Sequence, residues 1–432
     1  MRRSIPILLS TVVLASISWA ATPPPTPTPA RDRAVYQPKH RDPVLKEMED
    51  AADAAAARAA EETARVRAER KAASEEKESK EKTLRLDVSA IVRPTSPEVF
   101  TRAFHTPPVA QYNTGTCWSF ATTSFFESEV HRLSGRAIKL SEIWSVYWEY
   151  LEKLRGFLRA RGDSLIAEGS QPAAVIRAWR LHGAVPAEAY PGVLTPDGRH
   201  DHSRLEKQLQ DLAAWAKEHD VWDEERVLTM ARAILDRELG APPERVQWEG
   251  RTLTPEQFLD EVLGLRLDDY VAFVSTLEAP FWTRAEYTVP DNWWHDASYV
   301  NVPLDDWYRG LLGAVESGYT VAIGGDVSEP GYYGFEDIAV VPTFDIPAEY
   351  IDQSARELRF VNRSTEDDHL LHVVGHARAG GKQWFLIKDS ARSSRWGKFE
   401  GYYFYREDYV KLKMLTYTVH RDAVKETLEK IK

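Results

Sequence analysis

The sequence predicts an α+β fold of two lobes, and three observations lead to this prediction. Between residues 117 and 265, apolar residues recur at helical spacing between helix-start and helix-stop signals. After about residue 268 the pattern changes to short β-branched and aromatic runs separated by turns. The length of 432 residues exceeds that of one compact domain. The hydrophobic fraction of 43% is enough for a large core. A helix-rich half followed by a strand-rich half is typical of α+β proteins, and we expect substrate in a cleft between the lobes.

The helices and strands follow from local signals. Left-handed glycines end helices, and Thr254 before Pro255 is a typical helix start. The predicted helices are 117–134 (ended by Gly135), 141–160, 171–182 (ended by Gly183), the charged segment 203–240, and one that begins at Pro255. The predicted strands are 270–275, 320–324, 371–377, 384–388, 401–405 and 415–420.

The N-terminal region predicts export. Residues 1–20 have two arginines, a short apolar run and the sequence Ser18-Trp19-Ala20, which fits a signal-peptide cleavage site. We therefore expect a periplasmic or secreted protein with no stable membrane insertion after cleavage. Residues 21–43 are Pro/Thr-rich and predict a disordered spacer. Residues 44–83, rich in Ala, Glu and Lys, predict an exposed helical linker, and residues 85–432 predict the globular domain with a helical insertion at about 200–265.

Charge and cysteine content narrow the function. The net charge of −11 argues against a nucleic-acid partner, which would favour a basic surface. A single cysteine excludes an internal disulfide and a zinc cluster built on several cysteines. The cysteine is therefore either buried packing or a reactive thiol.

The surroundings of Cys117 favour a reactive thiol. A polar loop containing Gly115 leads to Cys117 at the start of an amphipathic helix. Unpaired N–H groups and the helix dipole stabilise a thiolate at that position, and the thiolate is the nucleophilic form. Gln111 lies six residues upstream, where its amide could face the same reacting atom.

A nucleophilic cysteine needs a base and a group that orients the base. The best candidates lie in the segment 367–376, in which strand alternation separates His369 from His372 and His376. The three histidines therefore do not converge, so we expect no metal site. If this strand and the next form a hairpin, Asp389 lies at the same end of the sheet as His369 and can orient its imidazole.

These motifs resemble the papain-like cysteine peptidases, in the branch of bleomycin hydrolase and aminopeptidase C. Gln111 and Cys117-Trp118 match the family spacing between the oxyanion glutamine and the nucleophile, and Asp368-His369 followed by a strand ending in Val-Gly matches its histidine motif. The resemblance implies that Cys117, His369 and Asp389 are catalytic and that Gln111 stabilises the oxyanion.

Further segments extend the resemblance over about residues 90–425. The segment 168–171 resembles the family's Gly-Gly-Gln beside the substrate cleft, which implies that Gly169, Ser170 and Trp118 bind substrate. Residues 239–255 resemble the helical insertion of this branch. The resemblance also implies possible homo-oligomers, since relatives form hexamers.

Three departures from the family pattern matter. Asp389-Ser390-Ala391-Arg392 stands where the family has Asn-Ser-Trp-Gly, so a carboxylate replaces the amide and adds charge that favours imidazolium. The missing Trp at position 391 predicts that water reaches the His–Asp hydrogen bond. The second departure is the C-terminus: the chain stops at Lys432, so we expect no C-terminal arm in the cleft. The third is the export signal, because the best-known relatives are cytoplasmic.

The sequence thus predicts an exported thiol peptidase that acts on peptide substrates, as an aminopeptidase or a relaxed endopeptidase. No cofactor is expected beyond a reducing environment for the thiol. The alternative is a catalytically weak or inactive protein of the same fold that binds peptides or a partner.

Overall fold

The computed structural model describes residues 31–192 and 195–431, and the chain divides into two units, Met1–Lys82 and Thr83–Lys432. The predicted signal peptide and the first ten residues of the predicted spacer lie outside the described residues. In the first unit, helix α1 spans Pro43–Lys80. The side chain of Asp42 caps it by accepting a hydrogen bond from the Val44 N–H at 2.9 Å. No residue of α1 is buried, as expected for its Ala/Glu/Lys composition.

The second unit is α+β, as predicted. Its helices are α2 (Cys117–Ser134), α3 (Glu142–Arg159), α4 (Pro172–His182), α5 (Ser203–Glu218), α6 (Glu224–Leu239), α7 (Pro255–Gln257), α8 (Leu304–Glu316), α9 (Gln353–Val361), α10 (Glu407–Lys413) and α11 (Lys425–Leu428).

Its strands are β1 (Thr101–Arg102), β2 (Val246–Trp248), β3 (Arg251–Leu253), β4 (Tyr270–Val274), β5 (Thr283–Ala285), β6 (Tyr299–Asn301), β7 (Val321–Gly325), β8 (Tyr332–Tyr333), β9 (Ile338–Ala339), β10 (His369–Ala379), β11 (Lys382–Lys388), β12 (Tyr402–Arg406) and β13 (Met414–His420).

One large mixed sheet organises this unit. Its strands run in the order β5-β6-β4-β13-β7-β10-β11-β12-β9-β8, with β1 paired to β10, and β2 and β3 form a separate small sheet. β10 and β11 are an antiparallel hairpin in which His372 lies opposite Lys388. The start of β10 and the end of β11 therefore meet at one edge of the hairpin, as the sequence analysis anticipated.

Helices α2 to α6 surround an apolar core of their own. α2 is largely buried and packs against β10, so its N-terminal end lies near the start of that strand. It ends where predicted, because Gly135 adopts a left-handed φ of 72° and donates its N–H to the carbonyl of His131 at 2.7 Å. The predicted helix start at Thr254 also forms, and Gln257 completes a capping box with it.

Two differences from the predicted elements are instructive. The segment 203–240, predicted only to be helical, forms two helices, and the break between them includes Asp220, which has a φ of 53°. Helix α8 was not predicted, although its buried Leu304, Trp307, Tyr308 and Leu311 follow helical spacing. α8 packs on the sheet and contributes to a second apolar core. Within the described residues, no helix has both the length and the apolarity needed to cross a membrane.

Candidate active site

Cys117 is the first residue of α2 and is partly exposed. The preceding Thr116 makes no side-chain hydrogen bond to the first turn, so the N–H groups there are not capped by that side chain. The rest of the helix is held in place by its buried face. Oγ of Ser124 also forms a hydrogen bond of 2.8 Å with Nδ1 of His372, which ties the helix to β10. The thiol thus sits at the positive end of an anchored helix dipole.

His369 and Asp389 form a buried pair beside this thiol. His369 begins β10 and Asp389 directly follows β11, so the hairpin brings them to the same edge. Nε2 of His369 lies 2.7 Å from Oδ1 of Asp389, and the residues are only 7% and 3% exposed. The Cys117 thiol lies near the same imidazole. The sequence-predicted Cys117, His369 and Asp389 therefore lie together in that order.

The surroundings of His369 favour its charged form. Burial alone would lower the pKa of His369, but the negative charges of Asp389 and Cys117, together with the hydrogen bond to Asp389, raise this pKa well above its ordinary value. Asp389, which stands where the family has an amide, thus contributes a charge that favours the imidazolium.

The His369–Asp389 bond is not exposed to water, contrary to the expectation drawn from the missing Trp at position 391. Tyr332 is buried under the pair, and its hydroxyl lies 3.4 Å from Oδ2 of Asp389 and 2.9 Å from Oγ of Ser393. The backbone N–H of Ala391 donates to Oδ1 of Asp389 at 2.9 Å. A tyrosine from a distant strand thus covers the carboxylate.

Gln111 is buried and held from two sides. Its Oε1 accepts a hydrogen bond from Oγ of Ser390 at 2.6 Å, and its Nε2 donates to the carbonyl of Thr114 at 2.7 Å. Its backbone N–H donates to the carbonyl of Ser390 at 2.9 Å. The residue that follows Asp389 therefore orients the predicted oxyanion donor, and the second N–H of the Gln111 amide is left for a substrate.

Of the three predicted substrate-binding residues, Gly169 has the placement expected for contact with a peptide. Gly169 is partly exposed, and a Cβ there would meet the carboxylate of Asp291, so a larger residue would require Asp291 to move. The Ser170 side chain is buried and donates to Oε1 of Glu149 at 2.8 Å, which leaves only its backbone for a substrate. Trp118 is 1% exposed, so its assignment as a direct substrate contact is not supported: its Nε1 donates to the carbonyl of Glu168 at 2.9 Å.

Glu168 is a site residue whose role the sequence analysis missed. One carboxylate oxygen accepts from the Tyr150 hydroxyl at 2.8 Å and lies 2.9 Å from Nδ1 of His202, and the other accepts from the Gly115 N–H. Burial opposes ionisation of Glu168, but its hydrogen bonds and the charge of His202 lower its pKa overall. The charged side chain ties the loop before Cys117 to the Gly169 segment. Only its place before Gly-Ser-Gln could have drawn attention to it.

A second missed residue, Asp367, lies two positions before His369. Its Oδ2 accepts a hydrogen bond from Nε2 of Gln171. Burial and the nearby negative charge of Asp291 raise the pKa of Asp367 to about 8, against the effect of the Gln171 bond. A run of acidic residues before a histidine gave no sequence signal for this burial.

His372 does not take part in this arrangement. It is buried, and burial together with the positive charge of Lys388 lowers its pKa well below the ordinary value, so it is neutral. In residues 31–192 and 195–431, no group of three or more His, Cys, Asp or Glu side chains could hold a metal ion.

Comparisons with known proteins bear on these observations. No family model matches the chain. It is 24% identical to aminopeptidase C of Streptococcus thermophilus over 260 residues, which covers 51% of this chain and 58% of the relative. Aminopeptidase C of Lactococcus lactis subsp. cremoris is 22% identical over the same length, 52% of this chain and 59% of the relative. The match thus spans little more than half the length of these curated relatives.

The fold comparison extends further along the chain. The crystal structure of PepW from Lactobacillus rhamnosis HN001 matches with a TM-score of 0.61 and 17% identity, over 77% of this chain and 84% of PepW. At this identity the match speaks to the fold alone. The chain is therefore similar to aminopeptidase C in sequence over about half of its length, and to PepW in fold.

Proposed function

We propose that this protein is a thiol peptidase that hydrolyses peptide bonds through Cys117, His369 and Asp389. One observation supports this most strongly: a buried imidazole has a carboxylate on one side and the only thiol of the chain on the other. That arrangement activates a thiol and keeps a proton available for a leaving group. The aminopeptidase C names of the relatives support the same reaction class and lend no support to a binding protein without catalysis.

The proposed reaction has two steps. The Cys117 thiolate attacks the peptide carbonyl carbon, and the His369 imidazolium gives its proton to the departing amine as the carbon–nitrogen bond breaks. A water molecule then attacks the resulting thioester, His369 takes up a water proton, and the carboxylic acid leaves while the thiolate is restored. Asp389 keeps the imidazole oriented and favours its charged form throughout.

The charge that develops on the carbonyl oxygen needs donors. In the proposed reaction these are the Nε2–H of Gln111 and the backbone N–H of Cys117, and each such donor contributes about 3–4 kcal/mol to the transition state. The peptide lies in a cleft between a helical and a β-rich lobe, as in papain-like enzymes, with its backbone along Gly169 and Ser170. No cofactor takes part, and a reducing environment keeps the thiol active.

Two finer features belong to the same proposal. The residue pattern of 1–20 supports export to the periplasm or outside the cell. The names of the relatives favour removal of N-terminal residues over internal cleavage. Both follow from the sequence and the relatives rather than from the site.

A peptide library digested by the mature protein tests the proposal. We expect cleavage by the wild type under reducing conditions and none by Cys117→Ala, with Ser119→Ala in the same helix as the matched control. If the only products released are residues from the N-termini of the peptides, the protein is an aminopeptidase. Cuts inside the peptides would establish an endopeptidase. Peptide binding without turnover by the wild type would refute the proposal and establish the binding protein.

A further inference from the structure

A solvent-open cavity lies directly beside the site. It is lined by Gln111 and His369 and by three arginines, Arg199, Arg392 and Arg395. Nothing in the peptidase reaction itself requires these arginines. Three positive charges this close to His369 suggest that the substrate carries a negatively charged group.

The cavity lies on the side of the leaving group. His369 donates the proton to the departing amine, so the leaving half of the peptide must lie next to His369. The lining continues from His369 to Ala391 and Arg392, just after Asp389, and among the described residues it does not include Gly169 or Ser170. The two halves of a peptide would therefore meet different surfaces, and the arginines face the leaving half.

The carboxylates of the cavity leave Arg392 and Arg395 uncompensated. Asp197 lies 3.6 Å from Arg199, and Asp201 accepts hydrogen bonds from Asn113 at 2.8 Å and Ser203 at 2.7 Å. Among residues 31–192 and 195–431, no carboxylate lies within 4 Å of either remaining guanidinium. The cavity therefore carries an excess of positive charge beside His369.

One histidine of the cavity does not add to this charge. Burial, with the positive charge of His202, lowers the pKa of His200 to about 4, so His200 is neutral at pH 7. The attraction for an anion thus comes from the arginines, whose charge does not vary over the working pH range.

An aromatic ring holds two of the arginines in place. The guanidinium of Arg395 lies 4.6 Å from the ring centre of Tyr112, and that of Arg199 lies 5.6 Å from it. Tyr112 directly follows Gln111 and has a left-handed φ of 53°. A guanidinium stacked on a ring keeps the donors of its edge available, and these donors match the two oxygens of a carboxylate.

We propose that this cavity binds a carboxylate on the leaving half of the peptide, so that the enzyme prefers substrates with an acidic side chain or a free C-terminal carboxylate just after the cleaved bond. The orientation of the peptide rests on the proposed peptidase function. The carboxylate binding itself rests on Arg392 and Arg395 and can be measured without turnover.

Binding to the full-length Cys117→Ala protein tests the carboxylate site directly. Three peptides serve as probes. Two have the same sequence and end with the residue just after the scissile bond, one with an amidated and one with a free C-terminus; the third is amidated and has Asp as that residue. We expect the free acid or the Asp peptide to bind about tenfold more tightly than the amidated peptide at low salt. The peptide that binds more tightly shows whether the site prefers a side-chain carboxylate or a C-terminal carboxylate.

Substitution of the arginines completes the test. Arg392→Gln with Arg395→Gln should remove the advantage, and Arg392→Glu with Arg395→Glu should reverse it in favour of a Lys peptide. Arg266→Gln, whose side chain is 83% exposed and outside the cavity lining, is the matched control and should change nothing. Unaltered thermal midpoints would show that the variants fold.

The outcomes separate this inference from the proposed function. Equal binding of all three peptides, or an advantage that survives the double Gln substitution, would overturn the carboxylate site even if the wild type cleaves peptides. An arginine-dependent advantage in Cys117→Ala, with no cleavage by the wild type, would uphold the carboxylate site and overturn the peptidase.

Discussion

Ser390 is predicted to act on catalysis only through Gln111. Its hydroxyl donates to Oε1 of Gln111 at 2.6 Å, and both residues are 7% exposed. This bond directs the Nε2–H groups of Gln111, one of which already meets the Thr114 carbonyl at 2.7 Å. Ser390→Ala removes the side-chain bond but keeps the backbone bond from the Gln111 N–H to the Ser390 carbonyl. The loop should therefore stay in place while the amide loses its orientation.

The geometry gives the size of each effect. A neutral buried hydrogen bond contributes about 0.5–1.5 kcal/mol, so Ser390→Ala should lower kcat by about 2–10-fold. Loss of an oxyanion donor costs about 10²–10³-fold in kcat, which we expect for Gln111→Ala. Because Ser390 has no role once the amide is gone, the double variant should match Gln111→Ala alone.

The assay is a double-mutant cycle on kcat for Cys117-dependent cleavage of a fluorogenic peptide. Ser119→Ala is the matched control, since its buried hydroxyl makes a bond of the same length to the Glu142 carbonyl. If Ser390→Ala reduces kcat by the same factor in the Gln111→Ala protein as in the wild type, the two effects are independent and the reasoning is wrong.

Three further predictions follow from the charges at the site. Asp389→Asn keeps a hydrogen-bond acceptor but removes the charge that helps to raise the pKa of His369, so the alkaline fall in kcat/KM should begin at lower pH; an unchanged profile would refute this role. Asp367 has a pKa raised to about 8, so the folded state keeps a proton that the unfolded chain releases above about pH 4, and stability is lost as pH rises between these values. Asp367→Asn should therefore raise Tm by an amount that grows from pH 5 to pH 8 in thermal unfolding, and a constant difference would contradict this. Glu168→Gln weakens the charged hydrogen bond from the Gly115 N–H, so kcat/KM should fall by about 3–10-fold. Glu206 is a nearby carboxylate that does not take part in this bond, so Glu206→Gln should have little effect.

The parts of the site that could be predicted from the sequence are those set by local order or by a single hairpin. Gln111 and Cys117 are six residues apart and share one loop and helix start. His369 and Asp389 are brought together by two adjacent strands, and alternation along the strand separated His369 from His372. In each case the spacing along the chain determines the spacing in the fold.

The parts that could not be predicted depend on contacts between distant segments. Tyr332 covers Asp389 from 57 residues away, and Ser390 orients Gln111 from 279 residues away. The missing Trp at position 391 suggested that the His369–Asp389 hydrogen bond is exposed to water. The sequence does not reveal that the side chain of Tyr332 covers it instead. Trp118 was predicted to bind substrate because it directly follows Cys117 in the motif. The motif does not reveal that the indole N–H donates to the backbone carbonyl of Glu168.

Alkylation of Cys117 by iodoacetamide at pH 6 most directly tests the central claim of a thiolate paired with His369. Free cysteine has a pKa of about 8.5 and reacts slowly at this pH. The account predicts that Cys117 reacts many times faster than free cysteine and that His369→Ala removes this advantage, with His376→Ala as the control. Reaction no faster than that of free cysteine, or an advantage that persists in His369→Ala, would contradict it.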